Sequence, residues 1–118
     1  MPISERPRYA AGDVVVVPFP YADRLAEKRR PALVVSGPQL ARFGLLWVVM
    51  ITSAENRDWS CDVPIDDLDS AGLPAPSVVR PAKIACIEPS RVLRRAGRLD
   101  AAAARAAARQ VRRFLPGR

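Results

Sequence analysis

The sequence contains no histidine and only two cysteines, Cys61 and Cys86. Two isolated cysteines do not match the ligand spacing of a zinc site, and the lack of imidazole excludes any catalytic triad that needs a histidine base. Aromatic residues make up only 6% of the chain, so the core must consist mainly of Val, Leu, Ile and Ala. We therefore expect a protein without a bound metal or cofactor.

Long apolar segments are also missing. The longest apolar run, Leu45–Ile51, is far shorter than the roughly 20 residues that cross a membrane as a helix. The N-terminal residues MPISERPRYAAG do not contain the apolar stretch of a signal peptide. From these absences we expect a cytoplasmic protein whose thiols stay reduced.

Positive charge is what the chain has in excess. It carries 19 Lys+Arg against 12 Asp+Glu, a formal charge of +7, and only Lys28 and Lys83 among those cations are lysines. Arginine presents a planar fork of donors that fits phosphate oxygens. The balance favours a polyanionic partner, most simply nucleic acid, although the arginine codons of a GC-rich genome explain the same composition.

The length of 118 residues predicts one domain over residues 1–118, in which residues 1–11 form a loose leader. Short β-branched runs between prolines and glycines predict strands, and Asp100 is a good N-cap for an alanine-rich helix over residues 100–115. The fold class is therefore mainly β with a C-terminal helix packed on a bent antiparallel sheet or partly open barrel. The predicted strands are Val14–Val17, Pro31–Ser36, Leu45–Ile51, Cys61–Ile65, Ser77–Arg80, Lys83–Ile87 and Val92–Ala96.

A polar loop joins the first two predicted strands. Pro18 and Pro20 are expected to end or bend the first strand, because proline cannot donate to a ladder. The loop Phe19–Arg30 ends in three consecutive cations, and a loop of that length in a compact domain is usually functional. Its last cation, Arg30, precedes Pro31 at the start of the second strand. We expect the sheet to hold Arg30 at one end while its guanidinium meets a ligand.

With these elements placed, the chain resembles the MazF/PemK family of toxins from bacterial toxin–antitoxin pairs. The resemblance covers about residues 12–115 and rests on motifs in the family's order: an opening strand, a (K)RP-x-LV strand, a strand ending in I-T-S, an S-V-[VI]-[RL] strand pair and a closing segment. The matching segments are Gly12–Pro20, Lys28–Val34, Met50–Ser53, Ser77–Ile84 and Ser90–Leu99.

This resemblance implies an SH3-like, partly open antiparallel barrel that works as a homodimer. It also implies a metal-independent, sequence-specific endoribonuclease that cleaves single-stranded RNA to a 2′,3′-cyclic phosphate and a 5′-hydroxyl, and so inhibits translation and growth. A cognate antitoxin is expected to wrap the dimer and block the RNA groove. The family's key arginine falls on Arg30 and its key hydroxyl on Thr52. The chain departs from some relatives at Ala82, where they have an aspartate, and in lacking a histidine.

The predicted catalytic residues are Arg30, Thr52 and Arg80. A guanidinium stabilises the extra charge of a phosphorane well but is a poor general base, so Arg30 is interpreted chiefly as a phosphorane clamp and secondarily as a proton donor. Thr52 ends an apolar strand, where its hydroxyl can reach the phosphate or orient the ribose; Arg80 can line the same groove. The alternatives are a solvated loop cation at Arg30, a hydroxyl bonded to its own turn at Thr52, and an edge-strand charge at Arg80.

Further RNA contacts are predicted in the polar loops. Tyr21 and Trp59 can stack on splayed bases, which contributes roughly 1–3 kcal/mol per base. Trp47, in an apolar strand, is instead expected in the core or in a dimer interface. The other predicted RNA-binding residues are Lys28, Arg29 and Ser53.

Two other functions remain open for a chain of this pattern. One is a non-catalytic poison of the same fold that binds a protein target such as a DNA gyrase subunit. The other is a plain nucleic-acid-binding barrel, in which we would expect basic and aromatic residues spread over the strands. The Arg30-Pro31 pair together with Thr52 at a strand end favours the endoribonuclease.

Overall fold

The structure is a computed structural model that describes residues 9–19, 28–56 and 58–117, apart from the side chains of Phe19 and Lys28. Six strands form one antiparallel sheet in the order β4-β5-β3-β2-β1-β6. The sheet curls into a half-barrel and carries a C-terminal helix, as the sequence predicted. The strands are β1 Asp13–Phe19, β2 Lys28–Val34, β3 Leu46–Ser53, β4 Val63–Pro64, β5 Ser77–Ile87 and β6 Arg94–Arg98. The helices are α1 Pro38–Ala41, α2 Leu68–Ala71 and α3 Ala101–Arg113, and a 3₁₀ turn spans Pro89–Arg91.

Strand β1 does not end at Pro18, contrary to the sequence-based expectation, but continues through it to Phe19. The Val16 carbonyl accepts a hydrogen bond from the Leu93 N–H at 2.9 Å, so the backbone groups of Val16 face β6. Pro18 lies two residues further and has the same orientation, but β6 pairs with β1 only as far as Val16. The missing N–H of Pro18 therefore falls where the described part of β6 offers no partner.

The three consecutive cations lie inside β2 rather than in a loop. Arg30 pairs with Val17, and Lys28 pairs with Phe19. Thr52 and Ser53 are the last residues of β3, which therefore extends two residues beyond the predicted strand Leu45–Ile51. The sheet therefore extends far enough to fix the backbone of the candidate site residues on both strands.

The two strand pieces predicted around Pro81 form one strand, β5, with a bulge. Val49 pairs with Ile84, and the next residue of β3, Met50, pairs with Arg80. Residues 81–83 of β5 therefore have no paired residue on β3. A bulge leaves the backbone of its extra residues outside the ladder, and proline is tolerated there.

Each face of the sheet carries its own apolar cluster. The face covered by α3, called here the helix face, buries Val14, Leu33, Val49, Ile51 and Val79 together with Ala107 of α3. The other face, called here the second face, buries Val15, Val17, Ala32, Val34, Leu46, Val48 and Met50. Side chains alternate between faces along a strand, so the continuous apolar runs of β1, β2 and β3 follow from burial on both sides.

Helix α3 begins where predicted. The Asp100 carboxylate accepts a hydrogen bond from the Ala103 N–H at 3.2 Å and caps the helix. Ala107 is buried and Ala104 and Val111 pack against the same cluster. Phe114 and Leu115, which fall within the predicted helix of residues 100–115, lie beyond the end of α3 and are exposed. Among the described helices, none has the length and apolarity needed to cross a membrane.

Helix α2 was not predicted. Asp67 caps it through the Ser70 N–H at 3.1 Å, and Gly72 ends it in the left-handed conformation with φ of 73°. A Cβ at Gly97 of β6 would lie 2.3 Å from the Ser70 carbonyl oxygen. Glycine at this position therefore allows α2 to lie directly against the backbone of β6.

Candidate active site

Arg30 and Thr52 lie side by side on adjacent strands. Ala32 of β2 pairs with Met50 of β3. Arg30 lies two residues before Ala32, and Thr52 lies two residues after Met50. Because the strands are antiparallel, these two steps run in the same direction and bring Arg30 next to Thr52. Both side chains consequently share the second face with that pair, at one end of the sheet. Arg30 is half-buried within β2, so the alternative of a solvated loop cation is wrong.

Arg80 reaches the same end of the same face from β5. It pairs directly with Met50, and Thr52 pairs with Val78, so the three predicted catalytic residues lie on three adjacent strands. Strand β5 has β3 on one side and β4 on the other, and for this reason the edge-strand interpretation of Arg80 is wrong. Because neighbouring strands lie about 4.8 Å apart, β2 and β5 are separated by roughly 10 Å across the site.

The Thr52 hydroxyl has a fixed environment. The Thr52 side chain is buried, and its Oγ1 accepts a hydrogen bond from the Asn56 side-chain amide at 2.6 Å. The hydroxyl therefore does engage the following turn, but as an acceptor, and its own proton is not used in that bond. The neighbouring Ser53 points to the other side of the sheet, is exposed and accepts from the Glu55 N–H at 3.1 Å. Ser53 is not part of the Arg30–Thr52–Arg80 group.

Arg80 is held by a carboxylate that the sequence analysis did not single out. Its Nε and one terminal nitrogen donate to the two oxygens of Asp62 at 3.1 and 2.8 Å. Val63 pairs with Val79, so the preceding residue, Asp62, falls opposite Arg80. Both side chains are nearly buried, with 9% of Arg80 and 7% of Asp62 exposed.

Trp59 covers this ion pair. The Arg80 Cζ atom lies 4.3 Å from the centroid of the Trp59 ring, the geometry of a cation–π contact. The backbone N–H of Trp59 donates to Asp62 Oδ2 at 3.0 Å, and the backbone N–H of Asp62 donates to the Trp59 carbonyl at 2.9 Å. Trp59 remains 37% exposed. These two hydrogen bonds close the loop between Trp59 and Asp62, and the Arg80 guanidinium lies against one face of the indole. We refer to Trp59, Arg80 and Asp62 as the stack.

The protonation states of the stack follow from these contacts. Burial acts to raise the pKa of Asp62, but hydrogen bonds from Arg80 and from the Trp59 N–H, together with the charge of Arg80, outweigh it and leave that pKa below its ordinary value. The hydrogen bond to Asp62 raises the pKa of Arg80. Asp62 is therefore ionised and Arg80 charged at neutral pH.

The remaining residues predicted to bind RNA are Arg29, Lys28 and Tyr21. Arg29 is exposed in β2 and, as a neighbour of Arg30, points to the other face. Lys28 begins β2, but its side chain lies outside the described residues, and so does all of Tyr21. Within residues 9–19, 28–56 and 58–117, no group of three or more His, Cys, Asp or Glu side chains is placed to hold a metal ion.

Sequence reasoning missed Asp62 and Asn56. Both lie in the segment between β3 and β4, and each acts on a residue that the sequence did single out. The sequence places Asp62 directly before the short strand β4, but this position alone does not show that it contacts Arg80. That contact depends on the pairing of β4 with β5, which no local pattern reveals.

Comparisons with known proteins agree with this architecture. Residues 10–115 match the sequence profile described as PemK-like, MazF-like toxin of type II toxin–antitoxin system. A search of curated proteins found no match. Among solved structures, the Mycobacterium tuberculosis toxin MazF-mt6 is 25% identical with a TM-score of 0.64, covering 84% of this chain and 91% of its own.

Two further structures share the fold. MazF from Deinococcus radiodurans superimposes with a TM-score of 0.71 at 23% identity, covering 90% of this chain and 94% of its own. An endoribonuclease from Mycobacterial species, solved in complex with its cognate antitoxin, gives a TM-score of 0.68 at 17% identity, with 94% and 100% covered. The profile match over most of the sequence shows that this chain belongs to the PemK-like, MazF-like toxin family of type II toxin–antitoxin systems.

Proposed function

We propose that this protein is a metal-independent, sequence-specific endoribonuclease that cleaves single-stranded RNA as the toxin of a type II pair, and thereby inhibits translation and growth. Members of the family are known as endoribonucleases. The observation that carries the proposal is the register that brings Arg30 and Thr52 to one face at one end of adjacent strands. That pair offers a cation and a hydroxyl to a single phosphate.

The reaction is an internal transesterification. The ribose 2′-hydroxyl loses its proton as its oxygen forms a bond to phosphorus, the bond from phosphorus to the 5′-oxygen breaks, and the leaving 5′-oxygen takes up a proton, so that one proton is released and one is consumed. The products are a 2′,3′-cyclic phosphate and a 5′-hydroxyl. Negative charge builds up on the phosphorane oxygens between these events. The Arg30 guanidinium, half-buried and fixed in β2, stabilises that charge in the manner of a preorganised oxyanion donor.

Thr52 and Arg80 complete the site in different ways. The Thr52 oxygen accepts from Asn56, so the hydroxyl proton is not used in that bond and can be donated to a phosphate or ribose oxygen of the substrate. Two of the Arg80 donors serve Asp62, so in this proposal Arg80 forms the wall of the site beyond Thr52.

Two protein partners belong to the proposal: a cognate antitoxin, as in the Mycobacterial complex, and a second copy of this chain. Four exposed apolar side chains near the end of α3 support the second copy, because exposed apolar patches mark interaction surfaces. They are Trp47, Ile84, Phe114 and Leu115, and they line a groove of about 400 Å³. Trp47 is 41% exposed there, which matches an interface position rather than a core position.

The test is cleavage of a mixed-sequence single-stranded RNA by purified protein, with the new ends identified chemically. Arg30→Ala is expected to lower the cleavage rate by about 10²-fold or more, because it removes a preorganised donor. Arg105→Ala, an exposed arginine of α3, serves as the matched control and is expected to cut like the parent protein. EDTA is expected to leave cleavage intact.

Three outcomes would contradict the proposal. They are wild-type cleavage by Arg30→Ala, loss of cutting in EDTA that Mg²⁺ restores, and fragments that carry a 5′-phosphate. Growth arrest by a protein that cuts no RNA would favour the non-catalytic poison instead.

A further inference from the structure

We propose that the stack of Trp59, Arg80 and Asp62 is a platform on which one nucleobase beside the scissile phosphate stacks. In this proposal Asp62 is the residue that positions Trp59 and Arg80. This inference rests on the proposed function, because it names how the same site holds its substrate.

The first argument is the shape of the stack. One face of the Trp59 ring rests on the Arg80 guanidinium at 4.3 Å, while 37% of the residue remains exposed. A base that meets the exposed face enters a ready-made sandwich, which is how single-stranded RNA is held by aromatic and guanidinium planes.

The second argument is that the backbone of Trp59 is held beside the guanidinium against which its ring lies. Asp62 accepts two hydrogen bonds from Arg80 and one from the backbone N–H of Trp59, so a single carboxylate links the Trp59 backbone to the Arg80 guanidinium. With both side chains nearly buried, neither the guanidinium nor the loop can turn away without breaking an ion pair. An aromatic residue whose backbone is already held in place loses less conformational entropy when a base stacks on it.

The third argument is position. Arg80 and Arg30 are on β5 and β2, two strand spacings or roughly 10 Å apart, with Thr52 between them. A splayed nucleotide next to the phosphate that Arg30 and Thr52 hold can reach across this distance to Trp59. The platform would then act on substrate binding, and Arg80 would act through Trp59 rather than on the phosphate.

The experiment has a kinetic arm that uses the full-length protein and its best-cut RNA. Trp59→Ala is expected to raise KM by about 10–100-fold with kcat nearly unchanged, the loss expected for one stacked base. Trp59→Phe should retain most of the affinity. Leu93→Ala, which removes an apolar side chain 50% exposed elsewhere, is the control and should leave KM unchanged.

Substrates with an abasic nucleotide at single positions locate the stacked base. The parent protein should lose affinity for one abasic position beside the cut, and Trp59→Ala should no longer distinguish that substrate from the intact RNA. Asp62→Asn should raise KM in the same way and lose the same discrimination, and the double variant should be no worse than Trp59→Ala alone. A purely structural Asp62 would lower stability but leave the abasic discrimination intact.

A binding arm separates this proposal from the proposed function. In a Trp47→Phe background, Trp59 is the sole tryptophan, and its fluorescence can be titrated with a mixed-sequence 2′-O-methyl oligonucleotide that cannot be cleaved. Quenching by the oligonucleotide but not by an abasic ribose-phosphate chain is expected even if the protein cuts nothing. The absence of quenching in a protein that cleaves RNA would overturn the platform. A fall in kcat without a change in KM for Asp62→Asn would also overturn it, because that result would make Asp62 a general base.

Discussion

Replacement of Asp62 by asparagine is expected to destabilise the protein strongly, because it leaves the Arg80 charge nearly buried. At an effective dielectric constant of about 20, unit charges 2.8 Å apart attract each other by roughly 6 kcal/mol. Desolvation of the two side chains offsets part of this attraction. The free energy of unfolding of Asp62→Asn should fall by about 3 kcal/mol, the lower end of the loss seen when one partner of a buried pair is removed. For a chain of this length, the melting temperature should fall by about 12 °C.

The informative comparison is with the variant that removes both charges. Arg80→Met alone leaves the Asp62 carboxylate without its cation and should also lose stability. The double variant Asp62→Asn/Arg80→Met leaves no uncompensated charge and should be about 2 kcal/mol more stable than the sum of the two losses predicts. Urea unfolding at neutral pH measures this difference. Far-UV circular dichroism is the appropriate signal, because Trp59 fluorescence changes with the stack itself.

The pH dependence provides a second, independent readout of the same pair. The pKa of Asp62 is lowered from its ordinary value of 3.8, so the stabilisation is fully present above that value and is lost as the pH falls through the lowered pKa. On acidification below 3.8, the unfolded chain takes up the Asp62 proton first, and the wild type should lose stability more steeply than Asp62→Asn. Strictly additive losses in the double variant, or equal acid slopes in the two proteins, would refute this reasoning.

Two further predictions concern packing and assembly. Gly97→Ala should lower the free energy of unfolding by about 3 kcal/mol, because its Cβ would lie 2.3 Å from the Ser70 carbonyl oxygen; Gly37→Ala, whose nearest atom is the movable Gln39 amide oxygen at 3.0 Å, should change it by about 0.5 kcal/mol or less. Equal urea midpoints for the two variants would contradict the close contact of α2 with β6. Phe114→Ser/Leu115→Ser should halve the mass found by light scattering, whereas Phe43→Ser, 77% exposed outside the apolar patch, should leave it unchanged. A parent protein that is already monomeric would show that the patch does not join two copies.

The sequence was sufficient to predict the strands that position Arg30 and Thr52. The β-branched runs that end beside these residues are buried on both faces, so local composition and burial agree there. The sequence could not reveal that the cations of residues 28–30 belong to β2, because arginine and lysine favour neither strand nor loop strongly enough. Pairing with β1 decides the matter, and that contact forms only in the folded chain.

The parts that could not be predicted depend on contacts between distant residues. Pro18 is a strand residue because β6 stops pairing before it, and α2 lies against β6 because Gly97 leaves room for a backbone contact. Asp62 meets Arg80 because the two residues of β4 pair with β5 in one register. Local propensity carries no information about register, which is set by burial across the whole sheet.

The carboxylate beside Arg80 bears on how the reaction is divided. Some relatives carry an aspartate two residues after this arginine, but here that position is Ala82 and falls within the bulge of β5. The carboxylate that contacts Arg80 comes instead from Asp62 on the far side of the strand. Its pKa is lowered and both of its oxygens accept hydrogen bonds, so Asp62 is a weaker base than an ordinary aspartate. Arg80 and Asp62 therefore compensate each other's charge, which supports the proposal that Arg80 acts as a wall of the site and not as the group that stabilises the phosphorane.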